Sequence, residues 1–130
     1  MRRPVLLAWE LGSGHGHVVR LNTVVQELKQ RGFEPIFAIQ RLDSLQAVGF
    51  RSGEANFYQA PLWPGLLSNT AVQPSAVPPA SLGDVLGNLG LQHERVIEIL
   101  IHAWECLFKS TKPVAVVADF SPACLLATHG

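Results

Sequence analysis

The sequence has no run of lysine and arginine and no excess of either charge, its 10 basic side chains being matched by 10 acidic ones. It therefore lacks the electrostatic footprint of proteins that bind nucleic acid or other polyanions. Cysteine is scarce. Cys106 and Cys124 are the only two, both in apolar stretches and outside any Cys-x-x-Cys spacing, which predicts two buried free thiols in a reducing compartment. No apolar stretch approaches the roughly 20 residues that a membrane span requires. The opening Met1-Arg2-Arg3-Pro4 places charge before an apolar run, but Glu10 ends that run too early for a signal-peptide core and no small-residue cleavage site comes after it. Internal repeats and low-complexity tracts are also missing. A soluble, cytoplasmic protein with no nucleic-acid partner and no transmembrane segment is the expectation. Its 130 residues are one domain's worth, since compact domains cluster at about 100–150 residues.

What is present reads as alternating strands and helices. Val5 to Trp9 is a short continuous apolar run that leads into glycines, the pattern of a strand buried on both faces of a parallel sheet. After Gly12-Ser13-Gly14-His15-Gly16-His17, apolar residues recur at Val18, Leu21, Val25 and Leu28 while Arg20, Gln26, Glu27, Lys29 and Gln30 fill mostly other faces. That spacing predicts a helix, stopped by Gly32. Pro35 to Ile39 is a second apolar run, completing a β-α-β unit whose strands should be parallel with a right-handed crossover.

Leu42, Leu45 and Val48 form a weaker helical pattern that Gly49 breaks, and a short third strand is expected near Phe57-Tyr58. From 61 to 80 the chain carries five prolines among Gly, Ser and Asn, which precludes regular structure over most of that length and predicts a lid or binding loop. Ser81 with Asp84 resembles an N-cap opening a short, glycine-weakened helix. A longer helix is predicted from about Gln92 to Lys109, then another buried strand at Val114–Ala118 ending in Asp119, then a helix begun by Pro122. The strands near 5–10, 35–39 and 114–118 should all end toward the glycine loop.

That loop is where open α/β sheets bind ligands, because backbone N–H groups and a helix dipole converge there, so Gly12, Gly14 and Gly16 are candidate ligand-binding positions. It is not a P-loop, since His15-Gly16-His17 stands where Lys and Ser/Thr would be needed. It is not a dinucleotide fingerprint either, because the spacing is G-x-G-x-G and Gln40 replaces the acidic residue at the second strand's end. His15 and His17 admit three readings. A metal pair lacks a nearby third ligand, loop histidines can simply bond to backbone, and a histidine at this edge suits deprotonation of a hydroxyl near neutral pH. Asp119 ends another strand at the same edge, where it would either orient the histidine or cap the helix at Ser121-Pro122.

The stretch WELGSGHGHVVRLNTVVQELKQRGFEPIFA resembles the opening of glycosyltransferases of the GT-B fold, particularly bacterial homologues of the UDP-glycosyltransferases. The Gly16-His17 pair, the strand-loop-helix around it and the LKQRGFEP junction carry the likeness. KPVAVVADFSPACLLA resembles the same family's strand that ends in Asp before a helix. The proline-rich middle matches only as a variable acceptor region would.

The resemblance implies a Rossmann-like open parallel sheet with helices on both faces, the N-terminal half of a GT-B fold. It implies an inverting hexosyl transfer from a nucleotide-sugar such as a UDP-sugar to a small-molecule acceptor, with no metal or other cofactor required. His17 would be the general base and Asp119 would orient it. His15 has no counterpart in the family, and Arg20 stands where many relatives carry Pro. The 61–80 loop and the helix after it would shape the acceptor pocket, with Trp63 either an apolar wall of it or, as is commoner for a lone aromatic, a residue of ordinary packing. The family binds its donor mainly in a second Rossmann domain, which would come after Gly130. Residues 1–130 are thus expected to be an acceptor domain that is inactive without a donor domain, one subunit of a split transferase whose donor domain is a separate polypeptide, or a non-catalytic remnant or binding module.

Overall fold

A computed structural model describes residues 3–51, 53–63, 81 and 93–129. Within them the chain forms an α/β unit around a four-stranded, all-parallel sheet, in the order β3-β2-β1-β4. The strands are β1 (Arg3–Trp9), β2 (Phe33–Ile39), β3 (Asn56–Gln59) and β4 (Ala115–Asp119). The helices are α1 (Gly16–Thr23), α2 (Val25–Gln30), α3 (Glu94–Thr111) and α4 (Pro122–Thr128), with a 3-10 helix at Leu42–Val48. The expected loop of 61–80 and the short helix expected after Ser81 lie almost wholly outside the described residues.

β1 is central because its side chains are apolar on both faces. Alternation sends Val5, Leu7 and Trp9 to one side, where they pack with Val18, Leu21, Val25, Phe37, Ile39 and Leu45 under α1, α2 and the 3-10 helix. Leu6 and Ala8 go to the other, against Ile36, Trp63, Leu100, Trp104 and Cys124, under α3 and α4. The sheet is thus covered on both faces, as parallel sheets generally are.

Three sequence expectations need correction. The single helix expected from Val18 to Leu28 is two, broken at Val24, whose N–H bonds back to the Leu21 carbonyl at 3.3 Å. Three β-branched residues in succession, Thr23, Val24 and Val25, explain the break, and Thr23 Oγ1 also donates to the Arg20 carbonyl at 2.6 Å. Gly32, at φ 84, closes α2 as expected. Second, β4 is not buried on both faces. It lies at the edge of the sheet among the described residues, with Val114 54% and Val117 39% exposed. An apolar run reports that a strand is greasy, not that a neighbour covers it. Third, Cys124 is buried but Cys106 is exposed, on a solvent-facing side of α3.

Candidate functional site

The strand order reverses at β1, with β2 on one side and β4 on the other, so the carboxyl ends of β1 and β4 flank a switch point. Register places Trp9 opposite Asp119. Just beyond, the N–H groups of Glu10 and Leu11 both donate to the Phe120 carbonyl, at 3.3 and 3.1 Å, tying the two departing loops together. Phe120 takes a left-handed backbone conformation there, φ 48, of the kind that costs about 1–3 kcal/mol and gathers at functional sites.

His17 lies in the first turn of α1, and its ring stacks on Trp9 with centroids 5.2 Å apart and planes 16° off parallel. Phe120 flanks it, centroids 6.2 Å apart. The ring's Nε2 occupies the space over Gly12, where a Cβ would collide with it, and Gly12 also needs its φ of 98. A side chain at Gly14 or Gly16 would meet nothing. Close approach in this loop therefore rests on Gly12, while Gly14 is required only for its positive φ of 80.

The structure brings together the two residues singled out for acid-base chemistry. His17 Nδ1 is 3.3 Å from Asp119 Oδ1, and both side chains are largely covered, 14% and 21% exposed. Asp119 is not the cap of α4, since its carboxylate points to α1. His15 is exposed at the N-cap of α1, makes no capping bond with its side chain and stays out of this pair. Among the described residues no group of three or more His, Cys, Asp or Glu side chains converges as metal ligands would.

A third member of the site is Arg20, one helical turn from His17. Its Nε donates to Asp119 Oδ2 at 2.8 Å and its Nη2 to Oδ1 at 3.3 Å, while Nη2 also lies 3.2 Å from His17 Nδ1. Burial works against ionisation of Asp119, but the hydrogen bonds and charges of Arg20 and His17 outweigh it and hold the carboxyl below its ordinary value. The i, i+3 spacing of His17 and Arg20 was the available signal, since such residues share a helix face.

Glu10 was also missed. It comes directly after Trp9 in the strand alternation and so turns to the opposite side of β1, where it is fully buried. Trp63 Nε1 donates to its Oε2 at 2.8 Å, and Ser121 Oγ and the Cys124 N–H donate to its Oε1 at 3.0 and 2.9 Å. α4 begins with Ser121 as N-cap and Pro122 at its first position, and Ser121 makes no side-chain cap. Glu10 takes over that task from 114 residues away, binding a free amide at the positive end of the helix. Burial and then the Glu10 charge push the Cys124 thiol up to about 12.

Of the two readings open for Trp63, a pocket wall or ordinary packing, the structure shows packing: the side chain is wholly buried in the core and its N–H is spent on Glu10. Among the described residues, a cavity of about 530 Å³ opens beside the start of β4 near Phe108, Lys112 and Leu125, and a smaller one lies near Lys29 and Asn56. His17 and Asp119 line neither, and the 61–80 segment expected to enclose a pocket around them is outside the described residues apart from its first three positions. No helix among the described residues is long and apolar enough to cross a membrane. Comparisons with protein families, with curated proteins and with solved structures give no match.

Proposed function

We propose that this chain is the acceptor-side half of an inverting glycosyltransferase of the GT-B kind. The observation that carries the reading is the approach of His17 Nδ1 to Asp119 Oδ1, 3.3 Å, at the carboxyl edge of a parallel sheet and at its switch point. An imidazole anchored through Nδ1 by a carboxylate presents Nε2 as the proton acceptor, and the carboxylate stabilises the imidazolium that forms. His17 would take the proton of an acceptor hydroxyl as its oxygen attacks the anomeric carbon of a nucleotide-sugar such as a UDP-sugar. The nucleoside diphosphate leaves with the electrons of the broken bond, and the configuration inverts. The backbone of Gly12, Gly14 and Gly16 would face the reactants, and a cytoplasmic setting fits two free thiols.

Catalysis depends on holding both reactants together, so 1–130 alone is expected to transfer no sugar, with a donor domain as its required partner, whether continuous or a separate polypeptide. The test is ligand binding followed at the His17 ring by NMR, with a panel of small-molecule alcohols and phenols at millimolar concentration. At least one should shift the ring resonances, and His17→Ala should weaken its binding. If no hydroxyl compound reaches His17, the reading fails. Sugar transfer by the chain alone, lost in His17→Ala, would also overturn the half-enzyme reading and demand a donor site within it.

A second reading, a non-catalytic binding module, is favoured by one feature: Arg20 bonds to both oxygens of Asp119 and leaves the carboxylate less free to serve His17. It predicts ligands whose binding is indifferent to His17→Ala.

A further inference from the structure

We propose that Arg20 is a positioning residue that restrains the basicity of His17 by drawing on the charge of Asp119. His17 Nδ1, Asp119 Oδ1 and Arg20 Nη2 lie within 3.2–3.3 Å of one another. A guanidinium is always a donor and always positive, so at this distance it acts on the imidazole in two ways with the same sign. It neutralises part of the carboxylate charge that would stabilise an imidazolium, and it repels that imidazolium directly. Among the described residues the ring forms no other ion pair or side-chain hydrogen bond, and it also packs against Trp9, Phe120 and Gly12.

Arg20 is also placed to leave. Its side chain is 65% exposed, it contributes nothing to the buried clusters on either face, and the bonds that hold it are those to Asp119 and the contact with Nδ1. With the guanidinium in place, part of the carboxylate charge is spent on it; with it withdrawn, the whole of that charge returns to His17. The same geometry keeps Asp119 aligned, since a carboxylate gripped through both oxygens cannot turn away from the ring.

The inference rests on His17 being the proton acceptor, yet it is tested separately from it. The pH at which the His17 ring titrates is followed by NMR in the wild-type chain, in Arg20→Met and in Arg20→Lys. In Arg20→Met the midpoint should move upward by about 0.5 unit or more, roughly a threefold or larger gain in proton affinity. Arg20→Lys keeps a positive charge but not the two-oxygen grip, and should fall between the two. Arg20→Gln provides a second neutral variant should the Met form fold poorly. An unchanged or lowered midpoint in a folded neutral variant overturns the proposal, even if hydroxyl ligands do reach His17. An upward shift supports it even if none does, in which case the base reading alone is lost.

Discussion

Two carboxylates stand at the same edge of one sheet, a single strand apart, and do opposite work. Glu10, after β1, is fully buried and meets neutral donors only: an indole, a hydroxyl and a backbone amide. Asp119, at the end of β4, is partly open to solvent and meets a guanidinium and an imidazole. The first set is fixed by core packing and joins three segments, β1, the chain at Trp63 and the start of α4. The second is made of groups whose charge or position can change without disturbing the core. Strand alternation produces the difference, because successive residues at a strand's end turn to opposite faces. Here Trp9 supports the His17 site on one side while its neighbour Glu10 knits the opposite core.

The comparison is broken most severely at Glu10. Glu10→Ala removes the acceptor for three buried donors, each costing about 1–3 kcal/mol when stranded, so a loss of about 3 kcal/mol or more is expected in urea unfolding. Thiol reactivity gives a local check. In the wild-type chain iodoacetamide should modify exposed Cys106 and spare Cys124, whereas Glu10→Ala should expose both. A loss below about 1 kcal/mol, with Cys124 still protected, would remove Glu10 from its structural role.

Gly12 tests the other side with a smaller effect. A methyl group there meets both the collision with His17 Nε2 and a φ of 98, so Gly12→Ala should cost about 2 kcal/mol and push the ring off Trp9. Gly14→Ala has the unfavourable φ of 80 without the collision and should cost about 1 kcal/mol, leaving the His17 resonances in place. Equal ring perturbation by the two substitutions would mean that Gly12 has no special hold on His17.

How much of this was legible in the sequence depends on the range of the cause. The strands were, because Val5–Trp9, Pro35–Ile39 and Val114–Ala118 are unbroken apolar runs of strand length, the pattern of a parallel sheet, although the edge position of β4 shows that such a run marks a strand without fixing its neighbours. That the histidine loop could meet Asp119 was legible from topology, since parallel strands carry the loops at their carboxyl ends to one edge of the sheet, but topology left helix capping by Asp119 equally open, and the choice of His17 over His15 came from the family resemblance. Arg20 read as a solvent-facing residue because its partner Asp119 lies 99 positions away. Glu10 read only as the end of an apolar run for the same reason, its partners at Trp63, Ser121 and Cys124 being set by the fold. The exposure of β4 and the break at Val24 were misjudged where pattern was asked to stand for packing.

The finest test of the contrast is Asp119→Asn, which keeps the shape of the side chain and removes its charge. The pair with Arg20 is largely open to solvent on the arginine side, so its worth near neutral pH is small, well below the effect at Glu10. Its pH dependence identifies it. The carboxyl of Asp119 is held below its ordinary value in the folded chain, so the stability it contributes is fully present above the unfolded-state value, about 3.9, and is lost as pH falls through the lower, folded-state value. The wild-type chain should therefore exceed Asp119→Asn in unfolding free energy at about pH 7, and the gap should narrow below about pH 4 as the native carboxylate takes up its proton. Urea unfolding of both proteins across that range measures it. A gap that persists unchanged into strong acid would mean that Asn fails for reasons of fit rather than charge, and Asp119 would then belong with Glu10 as a structural acceptor.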